Sequence, residues 1–431
     1  MEFIKDVLER IKPTEEEQKF LLENAEDIIS KIKLNLIGVD ADPILVGSLA
    51  KGTNLKDTDV DIFIRFSTKY DRSYIEEKTI EIGKKILEST EINFAEHPYI
   101  KGKYRNILFE IVPCYRIEDS KRKITSVDRT PFHTEFVIRN LKEWQKDEVR
   151  LLKQFLKGLG IYGAEAKIEG FSGYLTELLI IKYGKFLNVL KNVIKWKKTT
   201  FISLNGEGTQ FNSPLTFIDP TDPKRNVASA VSMKNYAIFI FSSREFLKNP
   251  KINFFFPNEY PEFDVEKIKS RGVGILHIKV TKPNVVDDIL YTQIKKFSKL
   301  LEENLNDFGL TKIHFYVDDF VHLIIEAYHL DLPALEMHEG PPVWNKNSEN
   351  FIKKWKGKAF NGPYIIDGKF YADIERKYKT IEDAIRKIIS SASIGKDLDK
   401  YKEEIEFSRD PKTINRRELS KFLDYKFPWE L

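Results

Sequence analysis

Cysteine is nearly absent from this chain. Cys114 is the only one in 431 residues, so no intrachain disulfide can form, and the usage fits a reducing interior. Methionine is also scarce, at 3 residues, and with abundant Lys and Glu this leans towards a thermophile composition. The N-terminus, Met-Glu-Phe-Ile-Lys-Asp, lacks the basic stretch and apolar core of a secretory leader, and no apolar run approaches the length of a membrane span. A cytoplasmic protein without membrane attachment is therefore expected. Strong net charge is missing too: 70 Lys and Arg against 66 Asp and Glu leave +4, so any polyanion partner has to be sought in local charge. Internal repeats and low-complexity segments are absent. What remains, 42 % hydrophobic and 13 % aromatic residues, excludes a disordered chain and supports real cores. The length suggests about two to four domains.

The densest chemical signal is Ile-Leu-Val-Gly-Ser at 44–48 followed by Asp59-Val60-Asp61. Side chains alternate along a strand, so Asp59 and Asp61 point the same way. Two like charges on one face repel unless a cation lies between them, and hard divalent cations take carboxylate and phosphate oxygens. Gly47 and Ser48 add backbone N–H groups, a hydroxyl and close approach, which suit a triphosphate. An Asp-x-Asp pair alone is more often a solvated strand edge. The apolar Ile62-Phe63-Ile64 that follows marks a partly buried strand, which makes acids at its end look placed. A third carboxylate is expected from another strand. Glu110, inside Ile107-Leu108-Phe109-Glu110-Ile111-Val112, is an acid among apolar residues and must face a cleft, a cation or water at a sheet edge.

Around these groups the pattern reads as follows. Thr14 and Glu17 form a capping box for a helix with Leu21, Ala25, Ile28, Ile29 and Ile32 on one face. Ile44–Val46 and Asp59–Phe66 read as strands, Ser73 with Glu76 caps a helix to about Glu88, and Ile107–Val112 is a strand closed by Pro113. That order suggests a mixed sheet with helices on one side. From Asp147 to about Ile194 the chain is helical, with a Gly-rich turn over Gly158–Gly163 and a second helix from near Ser172. Ser203–Arg225 reads as a turn-rich loop, Ser232–Leu247 as a helix, and Leu247–Asp264 as a linker or docking segment. Val273–Val280, Val286–Leu305, Ile313–Val317 and Val321–Tyr328 form a β-α-β-β run compatible with a ferredoxin-like unit. The remainder reads as a charged tail with a helix at Lys377–Ser390.

Other residues stay open on their own. His133, in Asp128-Arg129-Thr130-Pro131-Phe132-His133, is either incidental to a polar turn or a phosphate or base ligand. Lys153, beside Leu152 and Phe155, is either a core-edge lysine with a buried stem or a triphosphate ligand. Arg225 sits on the rigid loop Asp219-Pro220-Thr221-Asp222-Pro223-Lys224-Arg225-Asn226, either as a plain surface turn or as a flat fork for base edges and phosphates. Lys182, Lys185, Lys191, Lys195, Lys197 and Lys198 fall in a stretch without any acid, interleaved with Phe186 and Trp196. A charge run is usually a solvated face; the lack of acids favours a phosphate-binding one.

Taken together, Val46-Gly47-Ser48-x-Ala50, Asp59-x-Asp61, Ala95-Glu96-His97-Pro98-Tyr99, Val112-Pro113-Cys114-Tyr115, the Asp128–His133 run, Val149-Arg150-Leu151-Leu152-Lys153, Gly160-Ile161-Tyr162-Gly163-Ala164-Glu165, Gly170-Phe171-Ser172-Gly173-Tyr174-Leu175 and Asp219-Pro220 with Lys224–Ala228 resemble the archaeal-type (class I) CCA-adding enzymes, tRNA nucleotidyltransferases of the polymerase-β-like superfamily. These motifs run in order across about half the chain. The Gly-Ser and Asp-x-Asp parts mark only the superfamily, whereas the Arg-Thr-Pro-Phe-His and Gly-Ile-Tyr-Gly-Ala-Glu parts are far more specific. The C-terminal third matches weakly.

The resemblance implies an α+β protein in three parts. These are a polymerase-β-like catalytic head over 1–150, a helical nucleotide- and tRNA-binding domain over 151–260, and a C-terminal ferredoxin-like tRNA-binding body with a tail over 261–431. It implies addition of C, C and A to a tRNA 3′ end from CTP and ATP, without a nucleic-acid template. Asp59, Asp61 and Glu110 then map to the catalytic Mg²⁺ ligands, with Glu110 standing where Asp is more usual. Gly47, Ser48, Lys51, His133, Lys153, Tyr162 and Arg225 map to nucleotide-binding positions, with Lys51 in place of a common Arg. The partner is the tRNA acceptor arm, and since such enzymes often dimerise, a homodimer is one expectation. Rivals are a poly(A) polymerase or oligoadenylate synthetase, a catalytically silent RNA-binding protein on the same fold, and a small-molecule phosphotransferase.

Overall fold

The computed structural model describes residues 3–94, 97–261, 268, 270–424 and 426–431. Ala95 and Glu96 of the Ala-Glu-His-Pro-Tyr motif, and 262–264 of the expected linker, lie outside the described residues. The chain divides into two compact units, Met1–Glu259 with Lys426–Leu431, and Tyr260–Tyr425.

In the first unit, helix α1 (Phe3–Ile11) is followed by α2 (Glu15–Asn35), which begins where the capping box places it. The Glu17 amide donates to Thr14 Oγ1 at 3.1 Å, and the Thr14 amide donates to the Glu17 carboxylate at 2.7 Å. Strand β1 (Ala41–Leu45) leads into a one-turn helix α3 (Gly47–Lys51), then β2 (Val60–Phe66), α4 (Arg72–Ile86), β3 (Glu88–Phe94), β4 (Pro98–Tyr104) and β5 (Ile107–Tyr115). Helix α4 is capped by Asp71, whose side chain accepts from the Tyr74 amide, two residues before the expected Ser73. The strands form one sheet in the order β1-β2-β5-β4-β3, parallel only between β2 and β5. Val60, Ile62, Ile64 and Phe66 turn one face of β2 into a fully buried core under α2 and α4, so Asp61 must occupy the other face. Pro113 does not close β5, which runs on to Tyr115. Pairing with β4 stops at Ile111, so Pro113 sits where β5 has lost that neighbour and no donor is missed.

The rest of this unit is mainly helical: α5 (Thr130–Asn140), α6 (Gln145–Gly158), α7 (Gly173–Tyr183), α8 (Phe186–Val193) and α9 (Met233–Lys248). Its core is aromatic. The Phe155 ring lies 5.4 Å from Phe186 and Phe246 and 5.6 Å from Phe255. One expectation is corrected here and another is narrowed. The segment read as a turn-rich loop contains two strands, β7 (Leu215–Asp219) and β8 (Asp222–Asn226), joined with the short β6 (Thr200–Ile202). The Pro and Asp residues that signalled a loop make the tight β7–β8 turn. In the segment read as a linker or docking segment, Phe254 and Phe255 are core residues at 2 % and 0 % exposure, which fits docking and not a linker, because an aromatic run buries more apolar area than a linker can leave in water. Trp429 stacks on Phe254 at 5.0 Å, which brings the last residues into this unit.

The second unit contains β9 (Gly274–Thr281), a helix at Asp287–Asn304, β10 (Leu310–Val317) and β11 (Phe320–Ala327), the expected β-α-β-β order. Its sheet runs β10-β11-β9-β15, with β15 at Glu406–Ser408. The expected charged tail instead holds a second sheet, β12 (Leu335–Pro342), β13 (Asn361–Ile366) and β14 (Lys369–Glu375), in the order β12-β14-β13. Its strands expose residues on both faces, so hydrophobic alternation was too weak to reveal them. No helix among the described residues is long and apolar enough to cross a membrane.

A polar chain, buried at its two histidines and open to water at its ends, crosses this unit's main sheet. His277 on β9 faces His322 on β11 at 2.9 Å, His322 meets Asp318 at 2.9 Å, and His277 meets Thr413 at 2.9 Å. Tyr316 stacks on His322, and Lys279 and Glu406 lie nearby. Burial, then the neighbouring His322 and Lys279, pull His277 from 6.5 down to about 4. The unfolded chain thus binds more protons than the folded one between those two values, so His277 makes stability fall as pH drops through that window. Thermal midpoints measured at neutral pH and near His277's own pKa should fall by less in His277→Gln than in the parent; equal falls would contradict this assignment.

Candidate active site

The turn after β1 is built around one glycine. Gly47 has φ +71°, and a Cβ placed on it would run into Asp61 Oδ2, so both the backbone and the neighbouring acid demand glycine here. The Val46 amide donates to the Asp61 carbonyl at 3.0 Å, which pins the Gly47-Ser48 turn beside the acidic strand. Ser48 Oγ then lies 3.1 Å from Thr58 Oγ1.

The sheet register assembles the acids. Asp61 on β2 pairs with Glu110 on β5, and Glu110 pairs in turn with Lys101 on β4. Phe109 and Ile111 are fully buried under the helices, so Glu110 projects to the same face as Asp61. Lys101 Nζ donates to Asp59 Oδ2 at 2.7 Å and to Glu110 Oε1 at 2.9 Å. Burial works against the Lys101 charge, yet its bonds to Asp59 and Glu110 outweigh it and hold the ammonium's pKa above the ordinary lysine value. Among the described residues, no ammonium is hydrogen-bonded to Asp61. Burial, then the Glu110 and Asp59 charges, push it up to about 7 despite Lys51 nearby. Among the described residues, no three acidic, His or Cys side chains yet converge as a ready ligand set. The donor set nevertheless fits a cation: three carboxylates share one face, two already grip an ammonium, and the third is held back from ionising by burial and by its acidic neighbours.

A cavity of about 240 Å³ opens beside these acids. Ser48, Asp57, Thr58, Asp59, Asp61, Lys153, Lys157 and Tyr162 line it. Arg150, Lys153 and Lys157 fall on one face of α6, three and four residues apart. Arg150 donates to the Asn54 and Gly52 carbonyls at 2.9 and 2.7 Å, and Lys153 donates to the Thr53 carbonyl at 3.1 Å. Helix α6 thus holds the loop that follows the Gly-Ser turn. Burial lowers the pKa of both Lys153 and Lys157.

Behind the cavity lies a buried ion cluster. Glu177 on α7, with no exposed surface, accepts from Lys51 Nζ at 2.6 Å and Thr53 Oγ1 at 2.6 Å, and Lys153 Nζ stands 3.5 Å away. Burial opposes its charge, but Lys51 and Lys153 win and its carboxyl stays below the usual carboxylate range. Lys51, 9 % exposed, therefore faces Glu177 rather than the cavity wall.

One turn earlier on α7, Tyr174 reaches a second cluster. Its hydroxyl donates to Asp219 Oδ1 at 3.2 Å, and its ring stacks on His133 at 4.0 Å. His133 Nε2 and Arg225 Nη1 each lie 2.9 Å from Asp219 Oδ2. Burial opposes the Asp219 charge, but His133, the Thr221 amide and Arg225 hold its carboxyl well below the ordinary range. Burial lowers the His133 pKa, so at neutral pH its Nε2–H donates to Asp219. Lys182, Lys185, Lys191, Lys195, Lys197 and Lys198 are all exposed, on the end of α7, on α8 and just beyond.

The structure thus gathers Gly47, Ser48, Asp59, Asp61, Glu110, Lys153 and Tyr162 at one place, sets Lys51 behind it, and groups His133 with Arg225 on Asp219. Lys101, Lys157 and Glu177 were not singled out from sequence. Glu177 sits in the apolar run Leu175-Thr176-Glu177-Leu178-Leu179-Ile180, the same buried-acid signal that marks Glu110. Lys157 follows Lys153 by one helical turn. Lys101 depends on strand register, which no local pattern reveals.

A Gly-Ser turn against paired strand carboxylates beside a lysine-walled cavity defines a nucleotidyltransferase. Family models agree along the chain: a nucleotidyltransferase domain at residues 22–133, a tRNA nucleotidyltransferase second domain at 147–256, and a CCA-adding enzyme C-terminal domain at 271–408. The CCA-adding enzyme of Thermoplasma acidophilum is 38 % identical over 94 % of this chain and 94 % of its own length, and that of Methanocaldococcus jannaschii is 40 % identical over 93 % of each. The chain belongs to the CCA-adding enzyme family. A structure of the Cid1 poly(U) polymerase superposes with a TM-score of 0.46 at 16 % identity, over 59 % of this chain and 97 % of that one, too distant to bear on function. Enzymes of the nucleotidyltransferase fold generally use divalent metal ions.

Removing the Glu177 charge would strand Lys51 and Lys153 in the interior. Glu177→Ala should cost about 3–5 kcal/mol in urea unfolding at neutral pH. An unfolding midpoint equal to the parent's would show that the cluster contributes nothing to stability.

Proposed function

We propose that this protein adds C, C and A in turn to the 3′ end of tRNA from CTP and ATP, without a nucleic-acid template. The observation that carries this reading is the set Asp59, Asp61 and Glu110 on one sheet face, beside a cavity lined by Ser48, Lys153, Lys157 and Tyr162. The identity to CCA-adding enzymes over nearly the whole chain supports the choice of reaction.

In this proposal Asp59, Asp61 and Glu110 hold Mg²⁺. When bound, the ion neutralises triphosphate charge and lowers the pKa of the attacking hydroxyl. The triphosphate lies along the Gly47-Ser48 turn, with Lys153 and Lys157 drawing off the charge that builds on the departing pyrophosphate. Tyr162 walls the same cavity, and Lys51 adds positive potential from behind while Glu177 keeps both buried lysines in place. The tRNA 3′-hydroxyl attacks the α-phosphorus in line. The new O–P bond forms as the bond to the bridging oxygen breaks, and pyrophosphate leaves with that electron pair. Glu110 takes the hydroxyl proton, which requires Lys101 to release it.

Arg225 and His133, oriented by Asp219, are proposed to meet the nucleotide, Arg225 through its planar fork to the base. The exposed lysines from 182 to 198 are proposed to meet phosphates of the tRNA acceptor arm, so binding there should weaken with salt. A cytoplasmic location and a homodimer belong to the same proposal.

The deciding assay extends a tRNA that lacks its last three nucleotides, in Mg²⁺. CTP alone should give two added C residues, and CTP with ATP should complete a single terminal A. A long A tail would instead indicate a poly(A) polymerase. Asp61→Ala should abolish transfer while leaving tRNA binding within about twofold of the parent. Transfer at the parental rate would overturn the metal-ligand assignment.

A further inference from the structure

We propose that Lys101 is a resident counter-cation, holding the place between Asp59 and Glu110 that a divalent ion takes, so that loading the ion displaces the lysine. This rests on the reading of the three acids as a metal site. The ammonium bonds one oxygen of each acid, at 2.7 and 2.9 Å, and a divalent ion held by these residues would compete for the same carboxylates. Both acids are turned to Lys101, and among the described residues no three acidic, His or Cys side chains stand as a ready ligand set. Register fixes the arrangement: Lys101 is directly opposite Glu110 on antiparallel strands, and Glu110 is beside Asp61 on the parallel pair.

The contact is also built to open. The Lys101 side chain is 26 % exposed, Glu110 22 % and Asp59 42 %, so the ammonium has a path to water that the buried Lys51–Glu177 pair lacks. A lysine's compact charge rides on a flexible stem, and it releases a carboxylate more readily than a bidentate arginine would. Without metal, Lys101 relieves repulsion among three acids on one face. With metal, it becomes a competitor. The protein therefore gains metal-free stability and loses metal affinity through the same side chain.

The test is Mn²⁺ titration of the full-length, nucleotide-free protein, read by the loss of free-ion EPR signal, beside thermal midpoints in EDTA. Lys101→Met should bind Mn²⁺ about tenfold more tightly, equivalent to about 1.4 kcal/mol. It should also melt lower than the parent in EDTA and regain the difference when Mn²⁺ is added. Tighter binding is a change that simple structural damage would not produce. If the Met variant fails to fold, Lys101→Gln keeps a hydrogen bond without the charge and should show a gain of the same sign. Equal or weaker Mn²⁺ affinity in the substituted protein would overturn the role of Lys101 while leaving the metal site standing. Parental Mn²⁺ binding that Asp61→Asn leaves untouched would overturn the site itself, and the lysine's role with it.

Discussion

Repulsion among three carboxylates on one sheet face is the constraint from which the rest of the site follows. Strand alternation puts Asp59 and Asp61 together, and the parallel β2–β5 register brings Glu110 alongside. Such a face is costly unless positive charge is close by. The protein supplies it in two ways. Lys101 grips Asp59 and Glu110 directly, whereas Asp61, pressed against Gly47, is held by burial and then by the Glu110 and Asp59 charges well above the ordinary carboxylate range. Such a face is suited to accepting a cation, which is the property that the proposed phosphoryl transfer requires of it.

A second tier of charge supports the first. Helix α6 sends Arg150 and Lys153 into the loop after the Gly-Ser turn, and α7 sends Glu177 to meet Lys51, Thr53 and Lys153. One turn away on the same helix, Tyr174 joins Asp219, His133 and Arg225. A single helix therefore links the residues beside the cavity proposed to take the triphosphate to those proposed to meet the base. Excess positive charge, held in a low-dielectric interior and tied down by one buried acid, keeps lysines aimed without quenching them.

Much of this was legible in the chain. The capping box at Thr14, the strand that follows Asp59 and carries Asp61, and the signal of an acid among apolar residues at Glu110 follow from local chemistry, and the ordered motifs carried the family. What escaped depends on distance in sequence. Lys101 acquires its role only through the pairing of β4 with β5. Asp219 was visible as part of a motif, but its hold on His133 depends on two segments that are far apart in the chain. The sheet at 335–375 was hidden for a different reason: both its faces are partly exposed, so alternation was blurred. Phe254 and Phe255 stayed between a linker and a docking segment because nearby prolines weighed against an aromatic run that buries deeply.

The most direct test of the account is anomalous diffraction from crystals soaked with Mn²⁺ and a non-hydrolysable CTP analogue. The account predicts an anomalous peak coordinated by Asp59, Asp61 and Glu110, the triphosphate beside Lys153 and Lys157, and the Lys101 ammonium turned away from both acids. A metal bound elsewhere, or Lys101 still bridging Asp59 and Glu110 with metal and nucleotide in place, would contradict it.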